Sequence, residues 1–77
     1  MPRYFFNIMG GRCDPDLTGT DLPDIYAAQG EAIRASGEML SEIGPRFWDG
    51  AGWAMEVKDE AGRRLFTLRF SAEEHGT

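Results

Sequence analysis

The sequence has little of the chemistry that most catalytic and metal sites require. It holds one cysteine, Cys13, and one histidine, His75, in 77 residues. A single cysteine cannot form an internal disulfide, and one cysteine with one histidine do not make a zinc-ligand set. Neither residue has a partner near it in sequence that would act as base or nucleophile. We therefore predict no catalytic residue, no metal ligand and no cofactor-binding residue.

Long apolar runs and basic clusters are also missing. No run approaches the roughly 20 apolar residues of a membrane helix, and the N-terminus lacks the basic and apolar regions of a signal peptide. Eight bases against thirteen acids give a net charge of −5. Because phosphate backbones are bound by clustered bases, nucleic acid is not the expected partner. These features predict a cytoplasmic protein that binds neither membranes nor nucleic acid.

The chain is short for a self-sufficient domain. Residues 1–77 form one small domain, and the polar residues 71–77 are expected to be a frayed tail. A core in a chain below roughly 80 residues usually needs support from a disulfide, a metal or a partner subunit. Since the sequence predicts neither of the first two, we expect a homo-oligomer, most simply a dimer.

Alternating apolar residues predict strands at both ends of the chain. Residues 3–9 are rich in aromatic and β-favouring side chains, and residues 53–58 and 64–70 form a hairpin around the turn at 59–62. A weaker, polar strand around residues 17–22 is expected to pair with the first strand as an exposed edge. Because the first strand is apolar on both faces, we expect it to be central in its sheet.

A long helix is predicted between these two pairs of strands. Asp24 is a good N-cap, Gly44 fits the left-handed position after the last turn, and Pro45 prevents continuation. The strand, strand, helix, strand, strand order predicts an α+β fold, a small antiparallel four-stranded sheet with the helix packed on one face. The pattern leaves the strand order open. The predicted buried stripe of the helix consists of Ile25, Ala28, Ala32, Ala35 or Ser36, Met39 or Leu40, and Ile43.

A helix on one face leaves the other face of the sheet uncovered, and an apolar patch there marks an association surface. The loop predicted at residues 45–52 adds two aromatic side chains, which either anchor a partner or cover the end of the core. From both places we predict the interface residues Phe5, Met9 and Leu65 of the sheet, and Phe47 and Trp48 of the loop.

Two further features have an ordinary and a functional interpretation. Gly30 and Gly37 lie within the helix, where each costs about 1 kcal/mol relative to alanine. They either allow a second backbone to approach at a dimer contact or lie on an exposed face that tolerates them. Glu56 and Lys58 share one strand face and are expected to be ordinary surface charges.

The acidic segment, residues 14–24, is the strongest candidate for a metal site because it holds four carboxylates and a glycine. Four of its residues, from Asp14 to Gly19, fit the first positions of a calcium-binding loop. The twelfth position, where a glutamate should bind the ion, is Ile25, and no helix precedes the segment. We therefore interpret the segment as a turn, an edge strand and a helix cap. Whether its charge docks a partner stays open.

With these segments placed, four motifs stand out along the chain: Met1-Pro2-Arg3-Tyr4-Phe5-Phe6, Asp16-x-x-Gly19-x-x-Leu22-Pro23-Asp24, Trp53-x-x-Glu56-Val57-x-Asp59-Glu60-Ala61-Gly62 and Leu65-x-x-Leu68-x-Phe70. In these motifs the chain resembles the domain of unknown function (DUF) 6894 family of small bacterial proteins. The resemblance implies a stand-alone cytoplasmic protein without an assigned activity. The family often has histidine where this chain has Asn7, so a role of that histidine does not carry over.

A looser likeness, in the order of elements only, is to HicB-type antitoxins. It implies a protein partner, a small basic ribonuclease toxin. Residues 13–45 carry seven acids and one base, a net charge of −6, which is compatible with such a partner. Two hypotheses follow: a non-catalytic, self-associating interaction module, and, as the alternative, an antitoxin-type binder.

Overall fold

The computed structural model describes residues 1–10, 14–49 and 52–76. The described chain has four strands and one α-helix, in the α+β order that the sequence predicts. The elements are β1 (Arg3–Met9), β2 (Thr20–Asp21), α1 (Ile25–Ile43), a 3-10 helix (Gly44–Asp49), β3 (Trp53–Lys58) and β4 (Arg64–Phe70).

The four strands form one antiparallel sheet in the order β2-β1-β3-β4. β1 is central, as its two apolar faces predict. The order that the sequence pattern left open places β2 at one edge of the sheet and β4 at the other. The last two strands form the expected hairpin, with Gly62 at a φ of +83° in its turn.

The core lies between α1 and one face of the sheet. Ala28 and Ala32 are fully buried against Tyr4, Met55 and Val57. Because the helix contributes small side chains, it approaches the sheet closely and the strands supply the bulk of the packing. The buried part of the helix stripe begins only at Ala28, so the prediction that Ile25 is buried is wrong: it is 38% exposed.

Both ends of α1 have the predicted caps. Asp24 Oδ1 accepts a hydrogen bond from the N–H group of Ala27 at 2.9 Å. Gly44 has a φ of +59°, and its N–H group donates to the carbonyl oxygen of Leu40. The segment after Gly44 is a 3-10 helix rather than the predicted loop, because the fixed φ of Pro45 suits a first helical turn.

β2 is shorter than predicted, with two residues instead of the six of 17–22. The side chain of Asp16 accepts the N–H groups of Thr18 and Gly19, so these residues form a turn. The strand therefore begins only at Thr20. Pro23, which has no N–H group, follows closely and prevents a longer ladder.

A β-bulge in β4 changes the position of one predicted interface residue. Val57 pairs with Phe66 and Lys58 pairs with Arg64, so Leu65 is the extra residue. Leu65 is half-buried and packs against the core cluster. The prediction that Leu65 faces solvent on the uncovered side rested on regular alternation, which the bulge interrupts.

The chain exposes more surface than a compact monomer of its size. Its accessible surface is 5475 Å², whereas about 4,700 Å² is expected for this mass. The radius of gyration is 13.6 Å, against roughly 11.5 Å expected for this length.

Within the described ranges, α1 is too polar to cross a membrane.

Candidate interaction surface

The outer edge of β1, called here the paired edge, is bonded along its length to the acidic segment and β2. Leu22 N–H donates to the carbonyl oxygen of Pro2 at 3.0 Å, and Ile8 and Asp14 exchange two backbone hydrogen bonds of 3.1 and 2.9 Å. Tyr4 lies opposite Thr20 in the β1–β2 ladder. Backbone groups at both ends of this edge therefore have partners.

Asp16 completes the paired edge between those two ends. Its Oδ2 accepts the N–H group of Phe6 at 3.1 Å, in the place where a neighbouring strand would supply a carbonyl oxygen. Its Oδ1 accepts from Thr18 at 3.0 Å and Gly19 at 2.9 Å. Its own N–H group donates to Oδ1 of Asn7 at 2.8 Å. One side chain thus replaces several residues of strand.

These hydrogen bonds also set the charge state of Asp16. Partial burial acts to raise the pKa of this carboxyl, but the N–H groups of Gly19, Phe6 and Thr18 outweigh it and hold the pKa below the ordinary value of 3.8. The carboxylate is therefore ionised whenever the protein is near neutral pH. An ionised carboxylate only accepts hydrogen bonds, which is what three converging N–H groups require.

Gly19 is required by the same turn. Its φ is +78°, and a Cβ atom there would lie 2.7 Å from Cγ of Arg3 and 2.9 Å from Cε2 of Phe5. Any other residue would both strain the backbone and displace these two side chains. The glycine thus lets the turn close over Phe5, which is half-buried as a result.

The remaining carboxylates of the acidic segment also serve the fold. Arg3 donates to both oxygens of Asp21, at 3.0 and 3.3 Å, and to the carbonyl oxygen of Thr18 at 3.0 Å. The hydrogen bond from Arg3 holds the pKa of Asp21 below its usual range. Among the described residues no group of three His, Cys, Asp or Glu side chains is placed to bind a metal ion. The segment thus has the turn, strand and cap roles that were inferred from its sequence.

The outer edge of β4, called here the free edge, has no strand beside it in the described sheet. The hydrogen bonds of the paired edge determine which backbone groups of β4 point outward, because N–H directions alternate along each strand. The N–H groups of Phe6 and Ile8 point away from β3, so those of the alternate residues, Asn7 among them, point toward it. Since Asn7 pairs with Glu56, the backbone groups of Glu56 face β1.

The same alternation continues into β4. Met55 and Val57, on either side of Glu56, face β4 and pair with Leu68 and Phe66. Thr67 and Arg69 alternate with those partners, so their N–H and C=O groups point outward. A row of unpaired backbone groups of this kind is a template for a further strand.

The apolar side chains of β4 are less covered than those of β3. Met55 and Val57 are 2% and 0% exposed. Their partners Leu68 and Phe66, together with Phe70, are half-buried although they pack against the same core. These three side chains are thus covered less completely than Met55 and Val57, as are Phe6 and Ile8 of β1, and in β4 they alternate with the outward backbone groups of Thr67 and Arg69.

The uncovered face of the sheet is mixed rather than apolar. Phe5 and Met9 lie on it, and Met9 is 39% exposed. Between them Asn7 lies opposite Glu56, which is 9% exposed and thus not the ordinary surface charge that was predicted. Oxygens of Glu56 lie 3.5 Å from Nζ of Lys58 and 3.7 Å from a guanidinium nitrogen of Arg64. The other polar residues of this face are Thr67 and Arg69.

Phe47 and Trp48 lie beside the C-terminal end of β4. They line a groove of about 490 Å³ together with Leu40, Arg69 and Phe70. Trp48 is 54% exposed, so it covers the end of the core only in part. The groove adjoins the free edge, since Phe70 and the next residue contribute to both.

The five predicted interface residues are therefore not brought together in one patch. Phe5 and Met9 are on the uncovered face, Leu65 is in the bulge, and Phe47 and Trp48 are in the 3-10 helix.

The two helix glycines, the histidine and the cysteine that the sequence analysis considered do not join the candidate surface either. A Cβ atom at Gly30 or Gly37 would meet nothing within 4 Å. His75 is exposed in the tail, with Nε2 3.8 Å from a carboxylate oxygen of Glu73. Cys13, predicted to have no catalytic part, lies outside the described residues.

Sequence reasoning missed the free edge. Thr67 and Arg69 carry its outward backbone groups, but their position depends on the strand order, which the pattern does not determine. One signal was present: residues 71–77, which follow β4 in this sequence, are polar and do not favour a further strand.

These features define a small α+β protein with one helix over a four-stranded antiparallel sheet, one paired edge and one free edge. The family model described as domain of unknown function (DUF6894) matches residues 3–71. The chain belongs to this family. No curated protein and no solved structure gives a significant match.

Proposed function

We propose that this chain is a non-catalytic interaction module that associates with a second copy of itself in the bacterial cytoplasm. The observation that carries the proposal is the free edge of β4, where unpaired backbone groups lie beside half-buried apolar side chains. Exposed edges of this length are usually covered, shortened or charged in monomeric proteins. Hydrogen bonding to a strand of another chain is the simplest way to pair the backbone groups of this edge.

The incomplete burial of the apolar side chains of β4 supports the same proposal. A chain of 77 residues buries only a modest fraction of its surface when it folds. In this fold Phe66, Leu68 and Phe70 are half-buried. Association would bury these side chains and raise the stability of both copies.

The alternative, binding a small basic ribonuclease toxin through the acidic region, has less support. Asp16, Asp21 and Asp24 bind groups of this chain, and Arg34 bridges Glu31 and Glu38 on the helix. These carboxylates already have partners within the chain, which leaves fewer of them to bind a basic protein.

Sedimentation equilibrium of the purified chain at tens of micromolar tests the proposal. We expect a dimer with a mass twice that of the 8.6 kDa chain. A stable monomer at that concentration would contradict self-association. Recovery of a stoichiometric basic protein on co-purification would favour the antitoxin-type alternative instead.

A further inference from the structure

We infer that two copies pair through their β4 strands, antiparallel and in one register, with the two-fold axis at Leu68. The inference rests on the proposed self-association and specifies its site. The pairing joins two four-stranded sheets into one of eight strands. It leaves both helices on the same face, because the axis of such a pair is perpendicular to the sheet.

The apolar residues of β4 select this register. Phe66, Leu68 and Phe70 occupy alternate positions on the core side of the strand. They lie opposite one another only if Leu68 faces Leu68 of the second copy and Phe66 faces its Phe70. The half-buried apolar side chains of each copy then meet those of the other, and aromatic cross-strand pairs stabilise an antiparallel ladder.

The charges of β4 agree with the same register. Registers centred on Phe66 or on Arg69 place arginines directly opposite arginines, which is unfavourable. With the axis at Leu68, Arg69 lies opposite Thr67 of the second copy.

The outward backbone groups of β4 can form regular hydrogen bonds in this register. Thr67 and Arg69 present outward N–H and C=O groups, and this register places Thr67 of one copy opposite Arg69 of the other. Each such pair exchanges two hydrogen bonds. The ladder therefore begins on both sides of the axis without a shift or a bulge between Phe66 and Phe70.

The paired edge limits the assembly to two copies. Edge pairing can continue into a fibre when a sheet has two free edges. Here the residues from Pro2 to Ile8 are already bonded to the acidic segment and β2. On that side the outermost strand of the described sheet is β2, whose two residues are too few to template a further strand. Among the described strands β4 is therefore the one long free edge, and an isologous contact through it closes as a dimer.

An apolar groove lies beside the proposed contact. The groove beside Phe47 and Trp48 adjoins Phe70, so it lies next to the contact and extends the apolar area.

Thr67→Pro is the first test, with Thr67→Val as its matched control. Proline removes an N–H group that faces only the free edge, a position that edge strands tolerate. We expect native far-UV circular dichroism but a dimer dissociation constant raised by about 100-fold, because two interface hydrogen bonds are lost and their carbonyl acceptors are left unpaired. Thr67→Val keeps the N–H group and should remain dimeric. An unchanged dimer in Thr67→Pro would overturn the inference.

Oxidative cross-linking tests the register and does not depend on the proline variant. In a Cys13→Ser background, Leu68→Cys places two thiols at the axis, where non-hydrogen-bonded partners have Cα atoms about 4.5 Å apart. A disulfide accepts that separation. Thr67→Cys is the control, because its two copies would lie roughly 8 Å apart on a diagonal. We expect a covalent dimer from Leu68→Cys and little from Thr67→Cys; the reverse would overturn the register.

The outcomes separate the inference from the proposed function. A monomeric wild-type chain contradicts self-association, and this inference fails with it. A dimeric wild-type chain that is not cross-linked by Leu68→Cys contradicts only the β4 contact. Dissociation by Met9→Glu but not by Thr67→Pro would then assign the interface to the uncovered face.

Discussion

The outer edges of β1 and β4 expose the same kinds of backbone group but differ in what bonds to them. Along β1, the carbonyl oxygen of Pro2, the N–H group of Phe6 and both groups of Ile8 bond to residues of the acidic segment. Along β4, the outward groups of Thr67 and Arg69 have no strand beside them. The negative charge that suggested a metal site thus lies at the edge that is complete.

This difference shows how little regular structure an edge needs. β2 has only two residues, yet the backbone groups along the rest of this edge are hydrogen-bonded. Phe6 donates to the carboxylate of Asp16, Ile8 exchanges two backbone bonds with Asp14, and Pro2 accepts one from Leu22. A carboxylate that accepts three N–H groups is stronger than a neutral carbonyl acceptor. β4 has seven residues and is more apolar than β2, and no strand of the described sheet lies at its outer edge.

The largest effect is expected from removing the side chain that completes the paired edge. Asp16→Ala leaves the N–H groups of Phe6, Thr18 and Gly19 without their acceptor, and we expect it to lower the free energy of unfolding by about 3 kcal/mol. Urea denaturation at one fixed protein concentration measures this. Glu42→Ala, which removes an exposed helix charge, is the control and should change stability little. Equal effects of the two would show that the bonds of Asp16 contribute nothing.

A somewhat smaller loss is expected at the glycine of the same turn. Gly19→Ala places a methyl group against Arg3 and Phe5 at a φ of +78°, which should cost about 2 kcal/mol. Gly37→Ala is the matched control. It adds a methyl group in open space within α1 and should stabilise the chain by about 1 kcal/mol. A destabilised Gly37→Ala dimer would instead place that helix face in a contact.

The last carboxylate of the acidic segment supports the helix and not the edge. Asp24→Ala removes the acceptor of the Ala27 N–H group and should cost about 1 kcal/mol. Asp24→Asn keeps a good cap and is expected to be close to wild type. Thermal unfolding of both variants measures the difference. An equal loss in both variants would mean that the charge of Asp24, and not its hydrogen bond to Ala27, supports the helix.

The smallest effect is expected from the exposed pair of Arg3 and Asp21 on β1 and β2. Hydrogen bonding by Arg3 lowers the pKa of Asp21 from 3.8. A carboxyl with a lower pKa in the folded state stabilises the fold above its unfolded pKa, and this is lost as the pH falls through the folded pKa. The difference in unfolding free energy between wild type and Asp21→Asn should therefore shrink below pH 3.8. A difference that grows on acidification would contradict the pairing.

The elements of this fold could be predicted because their signals are local. Asp24, Gly44 and Pro45 define the ends of α1 by capping chemistry alone, and alternation gives the bounds of β1, β3 and β4. The family was recognisable from the same residues. The functions of Asp16 and Gly19 as turn residues could also be inferred, because aspartate and glycine have specific backbone roles.

The candidate site could not be predicted, because it depends on relations between distant segments. Thr67 and Arg69 are edge residues only because β3 pairs with β1, a choice that no local pattern specifies. The bulge that moves Leu65 to the core, and the burial of Glu56 opposite Asn7, also appear only when the register is known. Composition favoured the acidic segment, whereas topology favours β4.

Amide hydrogen exchange, followed by NMR over a range of protein concentrations, tests the contrast between the two edges most directly. The N–H groups of Phe6 and Ile8 should exchange slowly at every concentration, since their partners are within the chain. Those of Thr67 and Arg69 should exchange fast in dilute protein and slowly once the dimer forms. Fast exchange of Thr67 and Arg69 in a fully dimeric sample would contradict pairing through β4.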